Sequence, residues 1–114
     1  VSAFLLNHSS DLRLFAFTEF PDSITDGSYM FQNCSNLAGS VPVLPDNLTN
    51  GDDMFSWNRN LTGNVPTLPN SLVRSHQMFL GCAGLSGNCP AKPASLTVYS
   101  QMYYTTYVTC DYGK

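Results

Sequence analysis

The sequence predicts a repeat solenoid, a short stack of about four 24-residue coils with short parallel strands, irregular or short helical returns and a C-terminal cap. Three observations point there. Methionine occurs four times, at Met30, Met54, Met78 and Met102, each 24 residues after the last. In that phase the blocks share a skeleton: Met-Phe, then Leu37/Leu61/Leu85, Gly39/Gly63/Gly87, Pro42/Pro66/Pro90, Pro45/Pro69/Pro93 and Leu48/Leu72/Leu96. All seven prolines, from Pro21 to Pro93, fall on a repeat phase. A 24-residue unit cannot enclose a core alone, but copies spaced about 4.8 Å apart bring equivalent side chains together and build a continuous one.

Along the chain, 1–29 reads as a divergent first coil. Its segment LLNHSSDL at 5–12 matches MFQNCSNL, and FPDSI at 20–24 matches LPDNL with one extra residue between them. Phe15, Phe17 and Phe20 make this end more apolar than a water-facing cap, so a further segment is expected before Val1, in keeping with a fragment of a longer protein. Repeats follow at 30–53, 54–77 and 78–101. In each, Leu37/Leu61/Leu85 and Val41/Val65/Cys89 are expected to point inward from a short strand, with Phe31/Phe55/Phe79 and Leu48/Leu72/Leu96 filling the opposite wall. A proline deletes a ladder hydrogen bond, so each strand should end near the first proline of its block. Residues 102–114 leave the repeat and carry Tyr103, Tyr104, Tyr107 and Tyr112, rings suited to covering a terminal coil while their hydroxyls meet water. They read as the cap of a single 1–114 domain.

The string MFxxCxxLxGxVPxLPxxL resembles the BspA-like class of leucine-rich repeats. The resemblance covers nearly the whole chain, from Leu5 to about Met102. The proline-rich half depart from that pattern, as do Asn58 and Thr106 in place of Cys. The resemblance implies a leucine-rich-repeat-type stack and a bacterial surface or secreted protein engaged in adhesion and protein binding.

Four cysteines allow two disulfides in three pairings. Cys110 lies one repeat beyond Ser86, three positions from Cys89, so Cys89 with Cys110 is the expected bridge, stapling the cap. Cys34 and Cys82 share a phase two repeats apart, about 10 Å on this geometry, and are expected to be buried thiols. A catalytic cysteine needs a nearby base, and His8 and His76 occupy other phases.

Charged residues make up 11% of the chain against roughly 25% in an average domain, and the net charge is −3 with no basic run. That disfavours nucleic acid and anionic membranes as partners, and no apolar stretch is long enough to span a bilayer. No DxDxDG loop, CxxC spacing or Cys/His cluster calls for a metal, and no cofactor is expected. The PVLP and PTLP strings fit turn corners better than PxxP ligands, because they recur in phase. Asn7, Asn33, Asn47 and Asn60 open N-x-S/T sequons, which such compositions produce freely.

Candidate binding residues are Trp57, Arg59, Arg74, His76 and Asp52. Trp57, the sole tryptophan, occupies a variable phase between Asn33 and Gly81 with Arg59 two residues on, a composition typical of binding hot spots; it could equally lie flat over Gly81. Asp52 and His76 share a phase, and Arg74 follows Asn50, so these three should cluster, an ordinary salt bridge being the bland outcome. No nucleophile, base and pocket are indicated together, so no enzyme is expected. The expected function is a non-catalytic, extracellular or cell-surface recognition module that binds a protein or glycan on another cell or matrix. The alternative is the exposed structural head of a cell-surface filament or cell-wall protein.

Overall fold

A computed structural model describes residues 20–34 and 37–114. The earlier repeat copy at 5–12, with His8, Phe15 and Phe17, lies outside the described residues. Among those described are four strands of two or three residues and no helix: β1 (Gly39–Ser40), β2 (Leu61–Thr62), β3 (Ser86–Asn88) and β4 (Tyr107–Thr109). They form two separate two-stranded parallel sheets, β1 with β2 and β3 with β4.

The expected fold class is thereby corrected. A leucine-rich-repeat-type solenoid carries one continuous parallel ladder with regular returns; here the ladder is broken into two pairs and the returns are turns, in a small molecule measuring 38 × 30 × 18 Å. The backbone supplies the reason. Gly39, Gly63 and Gly87 sit at φ +85°, +83° and +81°, outside the region extended strands favour: β1 begins at Gly39, β2 stops just before Gly63, and only β3 carries its ladder across this phase, at Gly87. Pro42, Pro66 and Pro90 follow three residues later and lack the N–H a ladder needs. Between the sheets, Gly63 and Leu85 make an isolated bridge.

The strands, like that bridge, pair off the 24-residue period, Gly39 with Leu61 and Ser86 with Tyr107, but elsewhere that spacing governs pairing. Asp26 bridges Asn50, Asn50 bridges Arg74, and Arg74 bridges Val98, all parallel. Around each Met-Phe, three N–H groups donate to the following block. Tyr29, Phe31 and Asn33 donate to the carbonyls of Asp52, Met54 and Ser56 at 2.9, 2.9 and 2.8 Å. Asp53, Phe55 and Trp57 donate to those of His76, Met78 and Leu80 at 2.9, 2.9 and 2.7 Å. The third set, from Gln77, Phe79 and Gly81, reaches Ser100, Met102 and Tyr104. In the last block, Gln101 and Tyr103 donate instead to Lys114 and Gly113, both at 3.0 Å, as the chain end folds back beneath them.

The core follows the same spacing. Phe31, Phe55 and Phe79 are fully buried, with Tyr103 nearly so, and their rings stack at centroid distances of 5.6, 5.5 and 6.0 Å. Leu48, Leu72 and Leu96, and with them Leu37, Leu61 and Leu85, are buried in the same core. Leu44 and Leu68, which the repeat skeleton passed over, are buried as well. Each second proline opens a turn: Leu48, Leu72 and Leu96 donate back to the carbonyls of Pro45, Pro69 and Pro93 at 3.1–3.2 Å.

Asn58 occupies the phase held by Cys34 and Cys82, and it is buried. Its Nδ2 donates to the carbonyls of Phe31 and Phe55 at 2.7 and 2.9 Å, and its Oδ1 accepts from Cys34 N–H at 2.8 Å. The Cys82 thiol donates to the Phe55 carbonyl at 3.0 Å, and the Thr106 hydroxyl to the Tyr103 carbonyl at 2.6 Å. This phase therefore calls for a small donor able to reach a phenylalanine- or tyrosine-phase carbonyl, which Asn, Cys and Thr all provide.

Candidate functional site

Besides the Gly39/Gly63/Gly87 phase, the backbone turns left-handed at two further places in successive blocks. Tyr29, Asp53, Gln77 and Gln101 have φ of 60°, 53°, 56° and 55°; Asn33, Trp57, Gly81 and Thr105 have 51°, 65°, 77° and 58°. For a residue as bulky as Trp57 this conformation is costly, of order 1–2 kcal/mol. Its N–H bond to Leu80 helps hold it there. The next block offers Gly81 at the equivalent position, and a Cβ there would fall on the Trp57 indole. One face of the ring thus rests on a glycine surface, while the residue remains 44% exposed.

Alternation sets its neighbours. Ser56 and Asn58 point into the core, while Trp57 and Arg59 emerge to solvent. Trp57, Arg59, Gln32, Asn33 and Asn60 line an open groove of about 710 Å³. Among the described residues its polar side chains are carboxamides and one guanidinium, with no carboxylate in the lining. Among the described residues Arg59 makes no ion pair. Gln32 was not singled out from the sequence, and Asn33 and Asn60 were named there as sequon openings, Asn33 also as the phase neighbour of Trp57, but not as binding residues; the phase next to Trp57, one block earlier, was the available signal for Gln32 and Asn33.

Asp52, Arg74 and His76 come together but do not line that groove. Arg74 Nη2 and Nε lie 2.8 and 2.9 Å from Asp52 Oδ2, and His76 N–H donates to Asp52 Oδ1 at 2.9 Å. The His76 ring Nδ1 sits 2.7 Å from Ser100 Oγ. Asp52, His76 and Ser100 thus share one phase, and Ser100 was missed although it belongs to that same column. The acid does not orient the imidazole: Asp52 Oδ1 is engaged by the His76 main chain and Oδ2 by Arg74. The arrangement is a partly exposed ion pair with hydrogen-bonded neighbours, contributing about 0–1 kcal/mol.

Burial also shapes titratable groups elsewhere, Asp53 and Cys82 among them. It raises the Asp53 carboxyl above the usual carboxylate range, against the opposing pulls of Ser56 and His76. It pushes the Cys82 thiol up to about 12, which keeps it protonated and unreactive. Cys34 is a buried thiol as well. Cys89 and Cys110 are joined by a disulfide with Cα atoms 5.3 Å apart, tying the last turn to the block before it. Asp111 lies beside these sulfurs, but they are bonded to each other and are not thiolate ligands. Among the described residues no helix is long and apolar enough to cross a membrane.

Comparison with protein-family models, with curated proteins and with solved structures returned no match.

Proposed function

We propose that this chain is a non-catalytic recognition module, extracellular or at a cell surface, that binds a protein or glycan partner through the groove around Trp57. The observation carrying this proposal is the indole itself. A tryptophan held in a costly backbone conformation, with one face seated on Gly81 and the rest in solvent beside Arg59, has the composition and placement of an interaction hot spot. The Cys89–Cys110 disulfide supports an oxidising compartment. The resemblance of the repeat motif to BspA-like surface proteins supports adhesion. Asp52, Arg74 and His76 belong to the supporting framework rather than to the contact surface, since Asp52 and Arg74 pair with each other and His76 is held by its main chain to Asp52 and by its ring to Ser100.

Trp57→Ala tests it. Binding of the full chain to cells or matrix should fall at least tenfold, while the melting temperature moves by only a few degrees, because a half-exposed ring contributes modestly to stability. Unchanged binding would remove the groove from the account.

A further inference from the structure

The groove around Trp57 has a chemistry narrower than general recognition. Resting on the recognition role proposed above, we infer that it is a saccharide site for an acidic sugar, with a pyranose ring laid on the open side of the indole and a carboxylate or sulfate on Arg59. Sugar rings present a face of C–H groups that packs on an aromatic plane, and the Trp57 indole offers such a plane backed by Gly81. Around it stand Gln32, Asn33 and Asn60. Each carboxamide both donates and accepts hydrogen bonds, as every sugar hydroxyl does, which makes amides the natural partners of a polyol rim.

Charge selects among sugars. The chain carries a net charge of −3, yet among the described residues the groove has no carboxylate in its lining and presents one cation, Arg59, without an ion pair. A guanidinium binds a planar carboxylate or a sulfate through paired N–H donors, so an anionic substituent gains where a neutral one does not. An acidic peptide would satisfy Arg59 equally well. It would also need a walled apolar pocket for an anchoring side chain, and the lining here, one indole among amides, provides a plane instead. The site is set before binding: the N–H groups of Asn33 and Trp57 are fixed to the carbonyls of Ser56 and Leu80, so little backbone ordering remains to oppose association.

Because Trp57 is the only tryptophan, emission of the full chain excited beyond the tyrosine absorption band reports on this groove alone. The probes are a galacturonate tetrasaccharide, a hyaluronan tetrasaccharide and sialyllactose, each beside its uncharged counterpart, and an aspartate-rich octapeptide. At least one acidic sugar should give a saturable change in Trp57 emission. Its neutral counterpart should bind about tenfold more weakly, added salt should weaken it, and Arg59→Gln should reduce its affinity about tenfold with the melt unchanged. Equal binding of charged and neutral sugars overturns the assignment, as does no response to any acidic sugar up to about 10 mM. Response to the octapeptide alone also overturns it, and leaves a peptide-binding module. If Trp57→Ala abolishes surface binding while the acidic sugars stay silent, the recognition role stands and the saccharide inference falls. If surface binding survives Trp57→Ala, both fall.

Discussion

Asn58 shows how a polar side chain comes to stand in a phenylalanine- and leucine-lined core. It joins two carbonyls and one amide from two successive blocks, so its removal deletes three buried hydrogen bonds, leaving the Phe55 carbonyl to the Cys82 thiol and the Cys34 N–H to the Phe31 carbonyl. Asn58→Ala should lower stability by about 2–3 kcal/mol in chemical denaturation. Asn58→Cys, the residue of the flanking blocks, should lose about half as much, because a thiol can still reach one carbonyl, as Cys82 does. Asp53 behaves in the opposite sense. Its carboxyl titrates higher in the folded chain than in the unfolded one, so folding favours the protonated form. That contribution is complete below the unfolded value, near 3.9, and is lost as pH rises through the folded value. Ionised Asp53 therefore weighs against folding at neutral pH. Asp53→Asn keeps a residue suited to φ 53° and should raise the melting temperature at neutral pH, with the difference closing at low pH; a constant difference would contradict this.

At the level of elements, the interest lies at the chain's end. Gln101 and Tyr103 find their acceptors in Lys114 and Gly113, and the Cys89–Cys110 bond holds that segment in place. The crosslinked residues are separated by 21 positions, for which loop closure predicts about 3 kcal/mol of stabilisation. Cys89→Ser with Cys110→Ser should lose about that much. Hydrogen exchange should then show the Gln101 and Tyr103 amides opening first, with Phe55 and Asp53 still protected. Loss of protection throughout would mean that the tail is no separate unit. The strands β1 to β4 are too short to hold this end by themselves; side-chain caps and turns share the task, as with the Tyr112 hydroxyl, which reaches the Pro90 carbonyl at 2.6 Å.

Over the whole molecule, spacing was legible where side chains repeat, and architecture was not. Phe31, Phe55 and Phe79 could be placed together from their interval, and Asp52, Arg74 and His76 could be grouped by phase. The leucine-rich-repeat-type ladder could not, because a glycine in a sequence does not declare whether its φ is positive; Gly39, Gly63 and Gly87 turned out left-handed and the sheet broke into pairs. Ser100 and the amides beside Trp57 escaped for a simpler reason: Asn, Gln and Ser are abundant here, and only their placement distinguishes the ones that converge. The central claim is that residues 24 apart touch, and that this contact seats the Trp57 indole on Gly81. A NOESY spectrum of the full chain tests it most directly. It should show cross-peaks from the Trp57 ring to the Gly81 α-protons, together with ring contacts linking Phe31, Phe55, Phe79 and Tyr103 in that order. Rings that contact only residues of their own block, with Trp57 far from Gly81, would contradict it.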